Sequence, residues 1–157
     1  MGDYQRSTQE VRFEEIPNDV MKSIQVYIEK YNLGDILANV SICIVSRNEK
    51  LKKGLFGGSP GPKLLVQTAI LTKLWLILAD RVDQNAIYIK SMQLREITVE
   101  DYEKSSFNAM IPDTGMNING HFTDASELGT IFLPLGKDEA GERFKSLLLL
   151  SVQKAKE

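Results

Sequence analysis

Asp113-Thr-Gly115 is the tripeptide of this chain with the most direct chemical precedent. In an acid-protease site it supplies one carboxylate of a pair that activates water. Two carboxylates so close share a proton, because both cannot ionise together. A chain with one copy would have to dimerise. Such a site also needs an aliphatic strand before the Asp and a small residue after the Gly. Here Pro112 precedes it and Met116 follows. Asp, Gly and Pro all favour turns, so a turn is expected here.

The other chemistry-bearing residues are isolated. His121 is the only histidine and Cys43 the only cysteine. Cys43 sits in the apolar run Val40–Val45, where a buried, inert thiol is expected rather than a nucleophile. His121 has Asp124 three residues on, but no further His or Cys to complete a metal site, so it reads as a surface histidine. Glu100, Asp101 and Glu103 lack the glycine turn and alternating oxygens of a calcium loop, and read as a solvated strand edge. Residues 54–63 hold four glycines and two prolines. A phosphate-cradling loop would place Lys-Ser/Thr after its last glycine and then a helix, whereas Pro62 and Lys63 lead here into a strand. No catalytic residue, cofactor or metal is expected, and the chain does not read as an enzyme.

Charge is unevenly placed although the net value is only −2. Arg47 to Lys73 carries six bases against one acid, and Glu96 to Glu142 ten acids against two bases. A locally positive face can exist on such a chain. Lys50, Lys52, Lys53 and Lys63 would supply the charge for an anionic surface, and Leu55 and Phe56 the apolar contact. Nothing in the balance points to nucleic acid. The polar start Met1–Thr8 has no apolar leader core, and the longest apolar stretch, Leu64–Ala79, is interrupted by Gln67, Thr68, Thr72 and Lys73. A cytoplasmic protein is expected.

The elements that must position these residues follow from periodicity. Residues 1–17 are polar and expected to be flexible. Val20, Met21, Ile24, Tyr27, Ile28 and Tyr31 trace one face of a helix over 18–31, capped by Asn18 or Asp19 and stopped at Asn32 and Gly34. Seven strands are expected over 40–46, 64–72, 74–79, 86–89, 94–102, 116–123 and 129–134. A closing helix over 138–155, capped by Asp138, would present Ala140, Phe144, Leu147, Leu148, Ser151 and Ala155, widened by Leu149 and Leu150. Trp75, in the densest apolar run, is expected beneath that helix near Phe144 or Leu148.

Three segments carry a resemblance. Ile70-Leu-Thr-Lys-Leu-Trp-Leu-Ile77 is similar to the hairpin of strands two and three in pleckstrin-homology-like (PH-like) and GRAM-like domains. Gln93-Leu-Arg-Glu-Ile97 resembles their entry into strand five. Phe132-Leu-Pro-Leu-Gly136, with the helix after it, resembles their last strand and closing helix. The chain thus looks like the small bacterial PH-like families of unknown function. The resemblance implies an α+β fold: a seven-stranded, strongly bent antiparallel barrel capped by the C-terminal helix, with the N-terminal helix additional. It spans about residues 36–155 of a single domain over 18–157. Lys52, Lys53 and Lys63 fall in the lipid-binding loop of such domains, without the second-strand arginine of the phosphoinositide pattern.

The function expected is a non-catalytic interaction module binding a protein or peptide on an exposed strand edge, with self-association left open. The alternative is weak binding of an anionic lipid or ligand through residues 47–63. A second alternative is a cystatin-like or nuclear-transport-factor-like cone, in which the first helix crosses a curved sheet and makes a pocket with His121 at its mouth.

Overall fold

A computed structural model of the chain describes residues 4–50, 63–83 and 85–157. Along it run β1 (Tyr4–Val11), α1 (Asn18–Lys30), β2 (Val40–Lys50), β3 (Leu64–Thr72), β4 (Trp75–Val82) and β5 (Ile87–Gln93). Then come β6 (Ile97–Asp101), β7 (Gly115–His121), β8 (Leu128–Pro134) and α2 (Glu139–Ala155). The fold is α+β. Its strands form two antiparallel sheets, β1-β2-β3-β4-β5 and β6-β7-β8, which do not close into a barrel. The described residues therefore hold eight strands in two open sheets, where seven in one barrel were expected.

The additional strand is β1, formed by part of the segment expected to be flexible. Its residues Arg6 and Thr8 lie opposite Asn48 and Ser46 of β2. Directly opposed residues share a face of the sheet, so this strand buries polar side chains on polar partners. Thr8 and Ser46 join through their hydroxyls at 2.8 Å, both buried. A strand that pairs polar with polar gives no alternation of hydrophobicity for sequence reasoning to find.

Both faces of the five-stranded sheet are covered. On one, Ile42, Ile44, Leu71, Leu76, Leu78 and Met92 pack with Ile97, Met116, Ile118 and Leu133 of the smaller sheet and with Phe144, Leu148 and Val152 of α2. On the other, Cys43, Ile70, Ile77 and Ala79 pack beneath Val20 and Ile24 of α1. Double coverage explains why β3 and β4 read as nearly continuous apolar runs. It also corrects the placement of Trp75, which is half-buried against the α1 side rather than beneath α2. Trp75 is paired with Gln93, one position out of phase with the inward Leu76–Met92 pair, so its ring falls on the opposite face.

The helix ends follow local chemistry. Pro17, with extended backbone, is the N-cap of α1 and offers no side-chain acceptor. Asp19, expected as a cap, accepts instead from the adjacent Val20 amide (2.9 Å) and pairs with Arg81. Asn32 and Gly34 stop the helix at φ of 52° and 75°, in the left-handed region those residues tolerate. Asp138 caps α2 as its sequence indicates, accepting from Gly141 N–H at 3.0 Å. The buried stripe of α2 is Gly141, Phe144, Lys145, Leu148 and Val152, so Leu149 and Leu150, expected to widen it, face outward. No described helix is long and apolar enough to cross a membrane.

Candidate functional site

The residues singled out for chemistry lie on different parts of the fold. Cys43 is buried in β2 on the α1 side, and burial, with a smaller contribution from Glu14 and Glu10, pushes its thiol pKa up to about 11. A thiol held protonated is a poor nucleophile. His121 is exposed at the end of β7, in the other sheet.

The turn expected at Asp113 is not formed, since residues 112–114 carry neither turn nor bend; Asp113 accepts from Thr114 N–H at 2.8 Å and anchors β1 through an ion pair with Arg6. Arg6 bonds Asn48 as well and lies 5.9 Å from the Phe132 ring centre. Gly115 opens β7 at φ 147°, and a Cβ there would collide with the Leu133 carbonyl oxygen. Close strand approach explains the glycine of Asp-Thr-Gly.

The acidic segment differs from the expected solvated edge. Asp101 faces inward, and both its oxygens accept from Lys145 Nζ at 3.3 Å, while Glu103 and Glu142 approach the same ammonium at 3.5 Å. Burial alone would lower the Lys145 pKa, but Asp101, Glu142 and Glu103 outweigh it and raise the value. Asp101, the last residue of β6, thereby ties α2 to that strand through Lys145. Lysine within a buried stripe is hard to foresee until its carboxylate partner is known to face it.

Of the basic stretch, Lys52, Lys53, Leu55 and Phe56 lie outside the described residues. Lys50 and Lys63 stand at its neck, where Lys50 N–H donates to the Lys63 carbonyl at 2.8 Å. An exposed apolar turn missed by sequence reasoning carries Phe107, Met110 and Ile111, braced by the Tyr102 hydroxyl donating to the Ile111 carbonyl at 2.6 Å. Its i, i+3, i+4 spacing, on one face of a helical turn, was the available signal.

A concave feature lies between α1 and β5. It is an open groove of about 610 Å³, with Val26, Tyr27, Tyr31, Ile87 and Ile89 as its apolar lining. Val26 is 59% exposed, an apolar side chain left uncovered in the groove. Lys22 and Lys30 stand along the helix side, and Asp124 lies at one end. Two contacts align helix with strand. Asp19 pairs with Arg81, which is directly opposite Ile87, and the Tyr27 and Ser91 hydroxyls meet at 2.9 Å. Eight helical residues span about 12 Å and four strand residues about 13 Å, so α1 and β5 run alongside each other with matched rise.

β5 is the outer strand of its sheet. Leu94 N–H bonds back to Leu74, whereas the Ser91 carbonyl accepts from Thr123 N–H at 2.9 Å on the outer side. Alternate residues of an antiparallel strand turn their backbone groups the same way, so Ile87 and Ile89 face outward as Ser91 does. Among the described residues, none bonds to their outward groups. The site is thus an open strand edge beside an apolar trough. Sequence reasoning found both elements but could not see that they are neighbours.

The cone alternative places His121 at the mouth of a pocket formed by the first helix. α1 packs on the five-stranded sheet, and His121 belongs to the three-stranded one and does not line the groove. Comparisons with protein families, curated proteins and solved structures give no match.

Proposed function

We propose that the chain is a non-catalytic interaction module that receives an extended peptide along β5. The observation that carries this reading is the pair of outward-facing residues Ile87 and Ile89 beside the α1 groove. A peptide added there gains main-chain hydrogen bonds from the edge, and alternate side chains enter the trough, the physics of strand addition. Exposed edges without bulge, proline or covering element invite pairing, so an edge left open beside an apolar groove is consistent with use. The scatter of Cys43, His121 and Asp113 over separate elements is further support.

At the level of fold, we regard the chain as a PH-like module with an added helix. Two features support this: α2 packs between the sheets in the main core, and α1 lies on the opposite face of the larger sheet. The test is to select eight-residue peptides from a random library on the immobilised protein and map the selected peptides by amide chemical shifts. Shifts and slowed exchange at Ile87 and Ile89 are expected. Selected peptides that map to another surface, or a selection that yields none, would overturn the reading.

A further inference from the structure

We infer that the β5 groove selects an extended peptide whose α1-facing positions read carboxylate, apolar, carboxylate, an inference that rests on strand addition at β5. Lys22, Val26 and Lys30 recur every four residues and so lie on one side of α1, all lining the groove. The two lysines are eight residues apart, about 12 Å along the helix. Side chains on one face of an extended strand recur about every 7 Å, so positions i and i+4 are about 13 Å apart. A strand running beside β5 therefore brings two carboxylates to the two ammonium groups and seats the side chain between them at Val26.

Charge supports the same sign. Asp19 is already paired with Arg81, whereas among the described residues neither Lys22 nor Lys30 has a carboxylate at ion-pair distance. Lys30 instead rests 5.2 Å from the Tyr31 ring centre. With Asp19 and Arg81 cancelling, the lining carries two lysines against Asp124. An excess of one positive charge stands out on a chain of net charge −2. The Thr123–Ser91 bond ends main-chain pairing beyond Ile89, so the peptide pairs at Ile87 and Ile89 and its remaining residues follow the groove towards Lys30.

The test uses three acetylated seven-residue peptides in which threonine alternates with guest residues. The guests are glutamate-valine-glutamate in the first, glutamine-valine-glutamine in the second and lysine-valine-lysine in the third. Each is titrated into the isotope-labelled full chain, reading Kd and shifts at Ile87 and Ile89. The glutamate peptide is expected to bind about fivefold to tenfold more tightly than the glutamine one, as two exposed charge pairs would give. The lysine peptide should bind weakest, and the preference should shrink as salt approaches about 0.3 M. The K22E/K30E variant, checked for an unchanged melting temperature, should reverse the order. Equal affinity for glutamate and glutamine peptides, tightest binding of the lysine peptide, or an order unmoved in the variant would overturn the charge inference, while shifts at Ile87 and Ile89 would still uphold strand addition. No binding of any peptide, or binding without those shifts, would remove the underlying reading as well.

Discussion

At the scale of single residues, the least satisfied contact of the described core is Gln67 with Asp80. They are directly opposite on β3 and β4, and Gln67 Nε2 donates to Asp80 Oδ1 at 2.8 Å. The Gln67 Oε1 atom is buried with no partner, because an ionised carboxylate has no proton to offer it. Burial raises the Asp80 pKa, and the Gln67 bond and the Lys90 charge only partly oppose that. A carboxyl whose pKa is higher folded than unfolded stabilises the fold fully below the unfolded value of 3.8 and loses that contribution as pH rises through the folded one. The protonated acid can also donate to Gln67 Oε1. Asp80→Asn supplies that donor at every pH and removes the buried charge. It should therefore stabilise the protein by about 1 kcal/mol at pH 7. The gain should vanish towards pH 3, as urea midpoints measured across the pH range would reveal. An equal gain at both pH values would mean that charge burial is not the cause. Neither residue announces this in the sequence, since Gln67 looks like an interruption of an apolar run and Asp80 lies just past the strand expected over 74–79.

At the scale of elements, Asp138 ties the first strand to the last helix. Its Oδ1 caps α2 at Gly141 N–H, and its Oδ2 accepts from Thr8 N–H at 2.7 Å. Thr8 Oγ1 then accepts from Gly136 N–H at 2.9 Å, and Arg6 reaches Asp113 on the approach to β7. The cap was legible because Asp before a Glu-rich first turn is a helix-start signal wherever it occurs. The strand that shares it was not legible, because its partners are polar and distant, on β2 and, more than a hundred residues away, at Asp113 and Asp138. Losing a cap costs about 1 kcal/mol, and a buried amide left without its acceptor a further 1–3 kcal/mol. Asp138→Ala should thus destabilise by about 3 kcal/mol, and Asp138→Asn by less, since an amide oxygen still accepts one of the two bonds. Hydrogen exchange should show the Thr8 amide losing protection in the alanine variant far more than amides of β3. Unchanged protection at Thr8 would mean that β1 is held by its ladder to β2 alone.

At the scale of the whole molecule, one sheet carries two cores, and this decides how the protein should unfold. The closing helix, most of the strands and the presence of a first helix were readable because each repeats apolar residues at its own period. Their assembly was less so: the apolar runs of β3 and β4 fit a barrel interior as well as a sheet covered twice, and periodicity does not distinguish them. Trp75 marks the difference, since a single interior would send it to α2 and a two-faced sheet sends it to α1. Ile24 and Phe144, both fully buried, stand in the two cores on opposite faces. Ile24→Ala should cost about 2–5 kcal/mol and Phe144→Ala about 3–5 kcal/mol, through lost burial and the cavities left behind. Layers packed on a sheet lie about 10 Å from it, so the two cavities share no neighbours and their costs should add to within about 0.5 kcal/mol. Yet β3 and β4 contribute side chains to both, so neither core can melt and leave the other its floor. Each variant, and the double variant, should therefore retain a single cooperative urea transition at a lower midpoint. A second transition in Ile24→Ala alone would show that α1 detaches from a sheet that stays folded, and with it the groove wall beside β5.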